Sequence, residues 1–164
     1  MVSSNSSLLI LNSLVSSKLD YCNSLCYNLP SSSISGLQRV QNSLARVVFP
    51  TVKRTDHISP ILHELHWLPI TQRITFKIAL LTFKTITCKE PFYWYTLLTP
   101  YSPSRNLRSS NKHLLVVPKI KSAQGQRSFH FAAPTIWNSL PLHLRTSTSV
   151  SSFRSHLKAY LYPP

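Results

Sequence analysis

Twelve prolines stand against only two glycines in these 164 residues. No other feature constrains the fold as much. Proline has no N–H to donate, and its ring clashes with the preceding helical turn. It therefore ends a helix or sits in its first turn. Between the prolines, apolar residues recur at helical rather than strand spacing. The expected fold class is thus mainly α, with helices stopped at Pro30, Pro50, Pro91 and Pro141. Two glycines leave no room for a Gly-rich phosphate loop.

The longest helical pattern follows Pro69, within the stretch from Ile61 to Thr87. Pro69 suits the first helical position. At about 100° per residue, Ile70, Ile74, Ile78 and Leu81 share one face, and Phe76, Leu80 and Phe83 form a second. A helix apolar on two sides is packed on two sides, so this one is expected to be central. Arg73, Lys77 and Lys84 fall between the two faces as one basic ridge. Their stems can lie on apolar surface while the charges stay wet.

The other segments follow the same grammar. Residues 8–29 read as a helix, with Leu11, Val15, Cys22 and Leu25 near one face. Residues 34–49 read as a second, with Arg39, Asn42 and Arg46 opposite its apolar arc. The short link between them predicts an antiparallel hairpin over 7–49. Asp56 or Ser59 is positioned to cap a short helix holding Pro60. Residues 92–98 form a short aromatic helix, and 128–140 another helix around Pro134 and Trp137. A last helix starts near Ser151 or Ser152, with Phe153, Leu157, Tyr160 and Leu161 on its apolar face. The polar, basic stretch 102–127 differs in kind. It reads as an extended arm turning at Gly125, with room for one short β-strand or hairpin at 114–117. The organisation expected is a helical region over 1–101 (central helices 57–88), the arm over 102–127 and a C-terminal helical region over 128–164.

Charge bounds the function. Eighteen Lys and Arg face four acids, Asp20, Asp56, Glu64 and Glu90, for a net charge of +14. Such an imbalance favours a polyanionic partner, nucleic acid before an acidic membrane surface. The residues expected to contact phosphates are Arg39, Arg46, Arg73, Lys77 and Lys84 on helices, and Arg105, Arg108, Lys112, Lys119, Lys121 and Arg127 in the arm. Such contacts position a nucleic acid without reading its sequence. Tyr93, Trp94, Tyr95, Tyr101 and Trp137 interleave with the cations, the mix that also stacks on bases. The competing assignment for each ring is the hydrophobic core.

Catalytic and metal chemistry find little support. Cys22 and Cys26 are spaced C-x3-C and His63 and His66 H-x2-H. Structural zinc sites use H-x3–5-H and a short gap between the pairs. Both cysteines also fit a buried helix face. Glu64 between the histidines imitates H-E-x-x-H, but that motif needs an offset of four. No two acids are neighbours, so neither a two-carboxylate nor a two-metal site is expected. Three cysteines, an odd number, favour a reducing compartment. The start, MVSSNSSLLIL, has no basic n-region, and its apolar run is four residues long. It is read as neither a signal peptide nor a membrane span. The expected location is intracellular, in cytoplasm or nucleus, and not secreted. No catalytic residue, cofactor, metal, membrane or small-molecule substrate is expected.

Several blocks carry more than composition does. SSKLDYCNSLCYNLP followed by LQRVQNSLARVV resembles the region after the polymerase core in LINE-type, non-LTR retrotransposon reverse transcriptases, the jockey-like mobile-element polymerases among them. HISPILHELHWLPITQRITFKIALLTFKT is similar to their next block, as are LLTPYSPSRNLRSSNKHLLVVP, FAAPTIWNSLPLHLR and SSFRSHLKAYL. The resemblance runs from about residue 7 to 162, with the blocks in the family's order. It implies a post-polymerase segment without the palm's paired, magnesium-holding aspartates, since Asp20 stands between Leu19 and Tyr21. The partners implied are RNA or an RNA–DNA hybrid, and the upstream polymerase domain. Two rival expectations stand beside it: a helical interaction module that packs on that polymerase core, and a decayed copy without function.

Overall fold

The computed structural model describes residues 13–103 and 112–162. The protein is mainly helical, as the 3.6-residue periodicity predicts, and no strand occurs among the described residues. In chain order come α1 (13–20), a 3-10 turn (Asn23–Cys26), α2 (Ser31–Val48), α3 (Ser59–Glu64), α4 (Ile70–Cys88) and α5 (Phe92–Tyr95). A second 3-10 turn (Gly125–Arg127), α6 (Phe129–Ser139), α7 (Leu142–Arg145) and α8 (Val150–Leu161) complete the order. The chain divides into two compact units, Met1–Arg73 and Ile74–Pro164, with the boundary inside α4.

In the first unit, Ala45 of α2 packs with Ile61 and Leu62 of α3, and Phe49, Val52, Ile58, Leu65 and Trp67 close around them. The turn out of α3 explains the His66-Trp67-Leu68-Pro69 block. His66 takes a left-handed backbone, φ 54°. Its N–H donates to the His63 carbonyl at 2.9 Å, and the Trp67 N–H to the Leu62 carbonyl at 2.8 Å. Those paired bonds are the Schellman ending, which places Trp67 on the residue it caps. Trp67 is therefore a structural anchor. Pro69 then sits just before α4, and its carbonyl accepts from Arg73 N–H at 2.9 Å. Two glutamines of α2 hold the same junction. Buried Gln41 donates to the Leu68 carbonyl at 2.9 Å. Gln38 Oε1 accepts from Ile70 N–H at 2.9 Å, one of the donors that the start of α4 leaves unpaired.

Two local expectations are corrected here. The helix predicted over 8–29 ends at Asp20 among the described residues, and residues 8–12 lie outside them. Cys22 turns the chain with φ 51° and begins a 3-10 turn. That breaks the predicted apolar face, so Cys22 is exposed and Cys26 only half-buried. Neither Asp56 nor Ser59 caps α3. Ile58 occupies the N-cap without a side-chain bond, while the Asp56 carboxylate accepts from Lys53 N–H at 2.9 Å and closes the preceding turn.

The second unit is built on an aromatic core. Phe83 of α4 stacks on Phe153 of α8, centroids 4.3 Å apart and planes 9° apart. Trp137 of α6 lies 6.4 Å from Phe83 and 6.0 Å from Phe153. Ile74, Ile78, Ala79, Thr82 and Thr85 of α4 are buried with them, and Leu81, Phe76 and Leu80 half-buried. The central helix is buried over one broad arc, most completely at Ile78, Ala79, Thr82 and Thr85, while of the second expected face only Phe83 is buried. Pro134 is buried within α6, where it removes a single ladder bond without ending the helix. Helix α8 starts at Val150, next to the expected Ser151, and its cap is Ser149, whose hydroxyl accepts from Ser152 N–H at 3.2 Å. Gly125 is required by close approach, since a Cβ there would lie 2.5 Å from Ile120 Cγ2.

Candidate nucleic-acid interface

The basic ridge of α4 separates into two kinds of residue. Lys77 and Lys84 are exposed. They lie seven residues apart, two turns along one face. Arg73 is not like them. Its side chain is only 12% exposed, its Nη1 sits 2.9 Å from Asp20 Oδ1, and its Nε donates to the Leu68 carbonyl at 3.1 Å. The expectation of a wet charge at 73 is corrected, because that guanidinium ties α1 to the junction before α4. Arg73→Gln is expected to lower the stability of the first unit by about 1–3 kcal/mol, the scale of removing charged hydrogen bonds from a shielded site. Lys77→Gln and Lys84→Gln should each change it by less than about 0.5 kcal/mol. Urea melts of the three variants check the contrast.

The arm is held more tightly than its composition implies. Leu115 is clasped by the Asn138 amide. Its N–H donates to Asn138 Oδ1 at 2.9 Å, and Asn138 Nδ2 donates to its carbonyl at 2.8 Å. Trp137 Nε1 donates to the His113 carbonyl at 2.7 Å, and Arg145 Nη1 to that of Lys112. The predicted strand at 114–117 is therefore a segment docked on α6, with one isolated antiparallel bridge between Pro100 and Leu115. Backbone bonds flank that bridge, Tyr101 N–H donating to the Leu114 carbonyl at 2.9 Å and Val116 N–H to the Thr99 carbonyl at 2.8 Å, and side chains of the second unit hold the rest. Lys112, Lys119 and Lys121 emerge exposed at the two ends of this docked segment. Arg127 is half-buried, with its Nε shut off from water. Arg105 and Arg108 lie outside the described residues.

In the first unit, Arg39 is exposed and donates to the Ser35 carbonyl at 3.3 Å. Arg46 is half-buried, and its Nη2 bridges the carbonyls of Arg54 and Asp56 at 3.3 and 3.4 Å. It braces the turn after α2 instead of facing solvent. The aromatic candidates also divide. Trp137 is core, 3% exposed. Trp94 stacks on Phe129 at 4.9 Å. Tyr93 is 62% exposed and keeps a free face.

Sequence reasoning passed over Arg154 and Lys158. Both are exposed on α8, four residues apart, each next in sequence to the fully buried Phe153 and Leu157 and so about 100° round the helix from them. The signal was present as an i, i+4 cationic pair on an amphipathic helix. With them, the second unit exposes Lys77, Lys84, Lys89, Lys112, Lys119, Lys121, Arg154 and Lys158, and Glu90 is its sole acid. The first unit carries Asp20, Asp56 and Glu64. The excess positive charge is concentrated in the second unit.

Comparison with protein-family models, curated proteins and solved structures finds no match. Among the described residues, no three His, Cys, Asp or Glu are grouped to hold a metal, and none of the helices is long and apolar enough to cross a membrane. What the arrangement offers is a set of solvated ammonium and guanidinium groups on packed helices and a docked segment.

Proposed function

We propose that the chain is a non-catalytic, nucleic-acid-binding segment of the post-polymerase region of a non-LTR retrotransposon reverse transcriptase. It holds RNA or an RNA–DNA hybrid through exposed cations of its second unit. The observation that carries this reading is the charge of that unit, twelve Lys and Arg against Glu90 alone. A surface of that kind draws a phosphate backbone without base readout. The ordered sequence blocks supply the family side of the proposal. The polymerase's paired aspartates have no counterpart in the chain, so the segment positions a substrate for chemistry done elsewhere.

Lys77 and Lys84 test it, since both are exposed and neither braces the fold. Replacing both with glutamine is expected to weaken binding of a labelled RNA–DNA hybrid. The dependence of log affinity on log salt should become shallower by about 2, roughly one for each phosphate that a lysine no longer neutralises. The thermal midpoint should stay at the wild-type value. An unchanged slope would remove these two lysines from the interface.

A second reading, packing against a polymerase domain, has its own observation. Phe92 and Tyr93 of α5 are 72% and 62% exposed, as an interface side chain awaiting a partner would be. It predicts self-association of the isolated chain, which sedimentation reads directly.

A further inference from the structure

The second unit holds a pocket of about 310 Å³, near the lower end of the roughly 300–1,000 Å³ usual for small-ligand sites. Thr87 of α4, Tyr95, Leu98, Trp137, Arg145 and Ser147 are among the residues that line it. The polar groups are out of balance. Arg145 gives Nη1 to the Lys112 carbonyl, its Nε is buried without a partner, and no carboxylate pairs with it among the described residues. Burial draws the guanidinium below its ordinary value, although an arginine remains charged at neutral pH. The Ser147 hydroxyl is likewise buried without a partner. Buried polar atoms in folded proteins are seldom left so. Lys89, which is not among the lining residues, holds its Nζ 5.8 Å from the centre of the Tyr95 ring.

A ligand suited to these groups is anionic at one end and flat and apolar at the other. It is the size of one unit of a polymer rather than a duplex. We propose that the pocket takes a single nucleoside 5′-phosphate, its phosphate toward Arg145 and its base against Tyr95 and Leu98. The choice of a nucleotide over another flat anion rests on the nucleic-acid reading given above. The phosphate neutralises a cation that the chain itself leaves without a counter-ion. The base gains an aromatic face, which tolerates any base identity. The same chemistry is presented by a free mononucleotide and by the 5′-phosphorylated end of a strand.

The indole N–H of Trp137 lies in the pocket wall, hydrogen-bonded to the His113 carbonyl, and its NMR signal reports occupancy. Trp67, in the first unit, is the internal control. The full chain is titrated with the four nucleoside 5′-monophosphates, the matching nucleosides, and a tetranucleotide with and without a 5′-phosphate. A saturable shift of Trp137 is expected, at least tenfold tighter with the phosphate than without it. Saturation by the monophosphates names free nucleotide as a ligand; saturation by the phosphorylated tetranucleotide alone names the strand end. Arg145→Gln should weaken binding at least tenfold. Thr87→Phe, a bulky change at an exposed lining position, should do the same by taking up pocket volume, which decides the matter if Arg145→Gln fails to fold. No shift with any probe, or equal shifts with and without phosphate, overturns the proposal. Hybrid binding measured on the same samples keeps the two readings apart: a wild-type chain that binds nucleotide but not hybrid contradicts the interface alone.

Discussion

Phe153→Ala is expected to destabilise the second unit by about 3–5 kcal/mol, the range for deleting a buried aromatic ring. Phe153 is fully buried, stacked on Phe83 at 4.3 Å and 6.0 Å from Trp137. Removing it withdraws the transfer free energy of the ring and leaves a cavity that three helices cannot collapse around without moving. The stacked pair adds about 0.5–1.5 kcal/mol beyond burial. Against a total stability of about 5–15 kcal/mol for an ordinary domain, this loss removes a fifth of the total or more, and at the low end of that range it leaves the unit partly unfolded. Tyr160, on the same helix but 49% exposed, is the control; Tyr160→Ala should cost less than about 0.5 kcal/mol. Urea denaturation followed by tryptophan fluorescence distinguishes the two. Equal midpoints for both variants would mean that α8 does not close the aromatic core.

Much of this was legible in the residues. The apolar spacings located α2, α4, α6 and α8, although Val40 and Val47 on the apolar arc of α2 and Tyr160 on that of α8 are exposed. Prolines marked where helices stop or start, with Pro69 before α4 and Pro141 after α6 as clear cases. Less legible were features decided by distant partners. Angular counting put Arg73 in line with Lys77 and Lys84, but it could not show that Asp20, fifty-three positions earlier, would meet it. The run at 114–117 has strand composition, yet the Leu115 backbone bonds go to Asn138, twenty-three residues on. Left-handed turns at Cys22 and His66 carried no glycine to announce them. The pocket has no local motif at all, because Thr87, Tyr95, Trp137 and Arg145 come from separate helices. Charge was legible as a total, and so was the run from Pro91 onward with nine basic residues and no acid; only the boundary of the compact unit that carries it, at Arg73, required the structure.

Salt should weaken nucleic-acid binding steeply, and this is the largest effect expected of the interface. Each phosphate neutralised by a lysine or arginine frees a condensed counterion, so affinity falls as a power of salt concentration, with an exponent of about 0.9 per neutralised phosphate on a duplex. The second unit exposes Lys77, Lys84, Lys89, Lys112, Lys119, Lys121, Arg154 and Lys158 among its described residues. They stand on more than one element, so a single backbone meets a subset. Neutralising about five phosphates gives a slope of about −4.5, and using all of these cations about −7. Between about 50 and 200 mM salt those slopes correspond to a fall in affinity of roughly 500-fold to 20,000-fold. Base-specific recognition alone, or a wholly apolar contact, gives no such dependence.

The affinity of the full chain for an RNA–DNA hybrid, measured by fluorescence anisotropy at several salt concentrations from about 50 to 200 mM, is therefore the most direct test. A straight log–log plot with a slope of about −4 or steeper is the result expected of a phosphate-holding surface. A flat plot, or no binding at about 50 mM, would contradict it.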